Sequence, residues 1–151
     1  MGEFFGSLYC LFEDFFGLEL ANYLWGQSST EQMTNMFIGI GYSMLAISAF
    51  AMILFYYIFN RPKWGRWMWA LFGVINAVIN FLVGWQWVLR DYYAGYMVRL
   101  DPATNQNVPL PISEGDIICF GVSNAILSFI VFFIFSCLFK WWSTNVSRIP
   151  F

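Results

Sequence analysis

Asn76 and Asn80 lie four residues apart at the centre of an uncharged run over 67–89, WMWALFGVINAVINFLVGWQWVL. In a helix that spacing puts both amides on one face. An amide without a partner in hydrocarbon costs several kcal/mol, so each must meet another helix or water. Two further apolar runs carry polar groups of their own: Ser123, Asn124 and Ser128 in one, Ser43 and Ser48 in the other. Counted from the centres of their runs at about 1.5 Å per residue, Asn80 lies ~3 Å and Asn124 ~6 Å to the same side of the midplane, within reach of amide-to-amide bonding.

Small residues share these stripes. Ala70, Gly73, Ala77 and Gly84 accompany the paired asparagines, and Gly121, Ala125 and Ser128 accompany Asn124. Together they predict a close-packed, hydrogen-bonded seam in which each polar contact contributes about 0.5–2 kcal/mol. The competing chemistry is a pore, in which Asn76 and Asn80 from several copies ring a path for water or ions.

Catalysis finds no footing. There is no nucleophile beside a base, no carboxylate pair within an apolar run and no intramembrane charge of the kind that marks proton or ion transport. Gly39-x-Gly41 sits inside an apolar run and does not make a phosphate loop. The chain contains no histidine, which removes the usual neutral-pH proton carrier and the commonest metal ligand. Cys10, Cys119 and Cys137 form no C-x-x-C or Cys/His spacing, so neither zinc nor an iron–sulfur cluster is expected. They read as small apolar fillers, with a Cys10–Cys119 disulfide the one pairing the expected geometry allows. A lipid-acting enzyme would have to rest on Asp91, Glu114 or Asp116, which read as solvated charges. No catalytic residue, cofactor or metal is expected. A net charge of −2 and a pI near 4.9 argue against nucleic acid.

The composition says what must position the polar residues. Of 151 residues, 60% are apolar and 11% charged, against about 25% charged in an ordinary soluble domain. The sequence therefore predicts an all-α integral membrane protein, one membrane domain over 1–151, with transmembrane helices at about 36–59, 67–89 and 117–139. Runs of this length reach ~34 Å, enough to cross a ~30 Å hydrocarbon core with some tilt. Trp67 and Trp69 open the middle run and Trp85 and Trp87 close it, the pattern of an aromatic belt. Asn60-Arg-Pro-Lys-Trp-Gly-Arg66 is the turn of a helical hairpin.

Before the first run, residues 3–24 sort into an amphipathic interfacial helix. Phe4, Leu8, Leu11, Phe12, Phe15, Phe16, Leu20 and Tyr23 oppose Glu3, Gly6, Ser7, Cys10, Glu13, Asp14 and Gly17. Its acidity favours packing against protein over anionic lipid. Ser29 or Thr30 would cap the helix that follows. Residues 91–116 read as a small β-hairpin-like loop leaning on the N-terminal helix or on a partner.

Three crossings put the ends on opposite sides. Arg61, Lys63, Arg66, Lys140 and Arg148 fall on one side without an acid, whereas all nine acids fall on the other with only Arg90 and Arg99. The positive-inside rule places the 60–66 loop and the C-terminus in the cytoplasm, and the N-terminal helix and hairpin outside, as in a bacterial inner membrane. On that side Asn145-Val-Ser147 is a chance sequon, while the tail from Lys140 offers Trp141, Trp142, Arg148 and Phe151 to a soluble partner.

The function expected from these features is non-enzymatic: a multi-pass subunit that anchors or assembles a larger envelope complex, such as a secretion-type machine, through helix packing in the membrane. Its partners would be the lipid bilayer, copies of itself or other envelope proteins. The alternative is a homo-oligomeric pore or membrane-disrupting effector lined by Asn76 and Asn80.

Overall fold

A computed structural model of the chain describes residues 2–26, 35–58, 66–101 and 106–140. Three helices are long and apolar enough to cross a membrane. They are α4, Met36–Ile53, which continues as a π-helical turn over Leu54–Ile58; α5, Arg66–Tyr93; and α6, Glu114–Lys140. The expected cap at Ser29 or Thr30 lies outside the described residues. The cap found is Asn35, whose side chain accepts from the Phe37 N–H at 2.9 Å.

Helix α6 begins three residues ahead of the apolar run. Ser113 and Asp116 cap it reciprocally: the Ser113 N–H donates to Asp116 Oδ2 at 2.8 Å and the Asp116 N–H donates to Ser113 Oγ at 3.2 Å. This satisfies two backbone donors that a helix start otherwise leaves open.

The N-terminal segment is not one helix. It breaks into α1, Gly2–Cys10; α2, Glu13–Phe16; and α3, Leu18–Trp25. The first break is the turn at Leu11-Phe12, and the second is Gly17, whose φ of +92° suits a residue without a β-carbon. The breaks alter the face that is buried. Phe5, Tyr9, Phe16, Leu20, Ala21, Tyr23 and Leu24 turn into the protein, whereas Phe4, Leu11, Phe15 and Leu18 stay outside. A single wheel assumes one unbroken axis, and this segment has three.

Helices α5 and α6 form the most extensive helix pair, and α4 packs across both. The N-terminal helices lie over one end of this bundle, with α1 against α4 and α2 against α6. Close approach depends on glycines: the Phe5 ring fills the space over Gly41, and the Trp25 ring fills that over Gly6. Strands β1, Val98–Leu100, and β2, Asn107–Pro109, make a two-stranded antiparallel hairpin in which Arg99 faces Val108. It is held to the bundle through Met97, Leu110 and Ile112, which join the apolar cluster of the N-terminal helices. A second cluster at the other end gathers Met52, Phe55, Tyr56, Trp69 and Phe132.

Candidate functional site

The polar residues of the long helices meet at the bundle axis. Ser48, Asn76, Asn80, Ser123, Asn124 and Ser128 have no exposed surface. On α5 the four-residue spacing stacks Asn80 over Asn76, and Asn80 Nδ2 donates to Asn76 O at 2.9 Å and Asn76 Oδ1 at 3.2 Å. Asn76 then bridges the other two helices. Its Nδ2 donates to Ser48 Oγ on α4 and to Ser128 O on α6, both at 3.2 Å. Asn124 Nδ2 returns from α6 to Asn80 O at 2.6 Å.

A fourth element closes the column. The Tyr9 hydroxyl of α1 donates to Asn124 Oδ1 at 2.6 Å. Its ring stacks on Phe37 at 5.1 Å and leans on Phe120 at 5.5 Å. Asn124 lies ten residues into α6, about 15 Å along its axis from Glu114, so α1 places a phenol well below the helix end. Tyr9 belongs to neither face of the N-terminal helix as sorted from sequence. The one signal for it is that tyrosine is the aromatic side chain with both a flat apolar body and an acceptor-seeking hydroxyl.

Asn80 Oδ1 is the one buried side-chain nitrogen or oxygen without a hydrogen-bond partner among the described residues. The remaining hydroxyls are satisfied within their own helices: Ser123 Oγ donates to Cys119 O at 2.9 Å and Ser128 Oγ to Ala125 O at 2.8 Å. Further along the axis Ser136 of α6 forms a separate knot. It accepts from Trp69 Nε1 at 2.8 Å and shares a 3.1 Å hydrogen bond with the Tyr56 hydroxyl. The π-helical turn that carries Tyr56 brings it and Phe55 inward together.

The glycines singled out from sequence lie where helices touch. A β-carbon on Gly84 would stand 2.8 Å from Asn124 Nδ2, one on Gly73 would stand 2.8 Å from the Phe129 ring, and one on Gly121 would stand 3.0 Å from the Phe81 ring. Ser43 is not part of the column; its hydroxyl bonds Ile40 O in its own helix at 2.8 Å, and Ser48, on the inward face of α4, takes that place. Trp141, Trp142, Arg148 and Phe151 lie outside the described residues.

All three cysteines are free, so the Cys10–Cys119 disulfide is not formed. Burial and the neighbouring Glu13 carboxylate push the Cys10 thiol above its ordinary range. Tyr23 of α3 donates to Asp91 Oδ2 at 3.5 Å, and burial followed by that carboxylate raises its hydroxyl in the same direction. Chemically the column is a neutral relay of amides and hydroxyls. It joins four segments by directional bonds.

No protein-family model, curated protein or solved structure matches this chain.

Proposed function

We propose that this is a multi-pass membrane protein whose work is done by helix packing in the bilayer, as an anchoring or assembly subunit of a larger envelope complex. The observation that carries this reading is the direction in which the polar groups face. Asn76, Asn80 and Asn124 turn their amides inward, to one another, to Ser48, to the Ser128 carbonyl and to Tyr9, whereas the surface of α5 and α6 presents Leu71, Val74, Val78, Ile126, Ile130 and Ile134. A polar inside and an apolar outside suit a protein dissolved in lipid. Within the bilayer, the surface that these helices offer to partners is this apolar one.

The pore reading asks Asn76 and Asn80 to line water between copies, and for that they would have to leave partners they already hold within one chain. The two readings separate in one pair of measurements. An assembly subunit is silent in planar bilayers and co-purifies with other proteins at fixed stoichiometry. Conductance that changes with Asn76→Leu or Asn80→Leu, together with the absence of any stoichiometric partner, would establish the pore instead.

In this reading the basic 60–66 loop and the C-terminus face the cytoplasm, and the N-terminal helices and hairpin face outward. Cysteines introduced as Thr104→Cys and Ser143→Cys then react with impermeant maleimide from opposite sides of the membrane. Labelling of both from one side would reject three crossings.

A further inference from the structure

Helix α1 is let into the side of the bundle, below the level at which the long helices begin. Its Phe5 ring fills the space over Gly41 and stands 5.4 Å from the Tyr42 ring of α4. Its Tyr9 ring lies against Phe37 and Phe120, and the Tyr9 hydroxyl comes within 3.9 Å of Met44 Sδ besides bonding Asn124. Beyond the break at Leu11-Phe12, Phe16 packs edge-on against the same Phe120 ring at 5.4 Å.

These contacts fix a depth. On this side the uncharged stretches of α4 and α6 begin at Met36 and Ile117. At 1.5 Å per residue, Gly41 and Met44 lie about 8 and 12 Å into the first, and Phe120 and Asn124 about 5 and 11 Å into the second. One leaflet supplies ~15 Å of hydrocarbon, half of a ~30 Å core. The contacts of α1 therefore fall within a single leaflet. Its nine residues make ~14 Å of helix, too short to cross.

The half of α1 that turns away from the protein has two edges. Glu3, Ser7 and Cys10 recur at steps of four and three along one of them, and Glu3 and Ser7 are exposed. Phe4, about 100° round the helix from Glu3, is 67% exposed, and its ring stands 5.6 Å from that of Phe5. Phe4, Phe5 and Tyr42 thus form an aromatic row from the outside of α1 onto the exposed face of α4, where Phe50 and Ile53 lie further along. Leu11, between Tyr9 and Phe16 whose rings share Phe120, is 76% exposed.

We propose that α1 is immersed in the leaflet on its side of the membrane, with Phe4 and Leu11 against phospholipid acyl chains and Glu3 and Ser7 turned to the headgroups. Two observations select lipid as the occupant. The contacts set α1 at acyl-chain depth, and its aromatic row is continuous with the exposed apolar surface of α4, so one solvent covers both. The polar edge marks where that solvent gives way to headgroups and water. A helix resting on the membrane surface would instead keep its whole outer half at the headgroups. The inference rests on the membrane-spanning reading, adds to it a segment that is not a span, and does not depend on the assembly role.

The test uses the full-length protein carrying Cys10→Ala, Cys119→Ala and Cys137→Ala, with one nitroxide-labelled cysteine at a time, in phosphatidylcholine vesicles. Collisions of the nitroxide with molecular oxygen and with a water-soluble nickel chelate are read by electron paramagnetic resonance. Val78→Cys, exposed midway along α5, and Arg99→Cys, exposed on the hairpin, supply the lipid and water references. A polar solute is excluded from hydrocarbon, where it finds no hydrogen-bond partner, so the ratio of chelate to oxygen collisions at Phe4→Cys and Leu11→Cys should be at least about tenfold below that at Arg99→Cys. Ser7→Cys should lie near the water reference. Chelate access at positions 4 and 11 equal to that at 99, with Val78→Cys still protected, overturns the proposal and leaves the spanning reading intact; access at 78 as well overturns both. Shielding of positions 4 and 11 from oxygen and chelate alike overturns it by putting protein there. If the cysteine-free protein does not fold, benzoylphenylalanine at position 4 of the otherwise unaltered chain carries the test. Ultraviolet light should then add the mass of one phospholipid, and a cross-linked dimer overturns the proposal in favour of a second copy.

Discussion

The hydroxyl of Tyr9 donates to Asn124 Oδ1 across 115 positions of sequence, and at 2.6 Å this shares with Asn124–Asn80 the shortest distance in the column. It ties the N-terminal helices to the same amide that bridges α6 to α5. The segment that looks least like part of the bundle is therefore fastened to its centre.

Tyr9→Phe keeps the ring on Phe37 and removes only the hydroxyl, leaving Asn124 Oδ1 buried without its donor. A loss of about 1–3 kcal/mol is expected, read as a lower midpoint of thermal unfolding in detergent. Tyr42→Phe, at a ring 48% exposed, should move the midpoint far less. Equal shifts would mean that the Tyr9 hydroxyl contributes nothing specific.

Asn76 joins three helices through one amide. Asn76→Leu and Ser48→Ala should therefore be non-additive. A double-mutant cycle on unfolding free energy is expected to give a coupling of about 0.5–2 kcal/mol. Ser43→Ala, whose hydroxyl bonds its own helix, should show no coupling to Asn76→Leu.

Gly84→Ala puts a methyl group 2.8 Å from Asn124 Nδ2. That nitrogen is fixed by its bond to Asn80 O and cannot withdraw without breaking it. Destabilisation of about 1–3 kcal/mol follows. Gly39→Ala meets the Trp87 ring at 3.3 Å, but this ring is 43% exposed and can move outward, so the cost there should stay below about 1 kcal/mol. The ratio of the two thermal shifts is the readout.

Cys10 should alkylate slowly. Its thiol is raised by burial first and by Glu13 second, and the thiolate is the reacting species. In a background carrying Cys119→Ala and Cys137→Ala, the maleimide rate should keep rising with pH beyond the point where an ordinary cysteine levels off. Glu13→Gln removes the carboxylate, so it should bring that plateau to lower pH and speed labelling at pH 8. An unchanged profile in Glu13→Gln would assign the whole effect to burial.

The three long helices were legible because each is a local property of sequence, a run without charge and long enough to cross a membrane. The caps were legible only in part. Ser113-Glu-Gly-Asp116 is a capping box that lies just before the third apolar run, and apolarity alone starts that helix at 117. The hairpin was visible in its turn residues and β-favouring flanks, since these too act over a few positions.

The column divides differently. Two amides four residues apart on α5 had to share a face, and an amide in an apolar run had to find a partner, so Asn76, Asn80 and Asn124 could be singled out from sequence alone. Which serine of α4 they would meet could not. Met36–Ile53 is apolar all round, so no amphipathic stripe marks its inward side, and packing against α5 and α6 chose Met44, Ser48 and Met52 over Ser43. The same holds for the N-terminus, where Phe4 and Phe5 are equally apolar and adjacent. Composition and period determined that this chain has three long apolar helices and inward-facing amides. Docking decided which faces of the broken N-terminal segment turn inward and that Tyr9 completes the column, because those outcomes depend on surfaces that exist only once α4 and α6 are together.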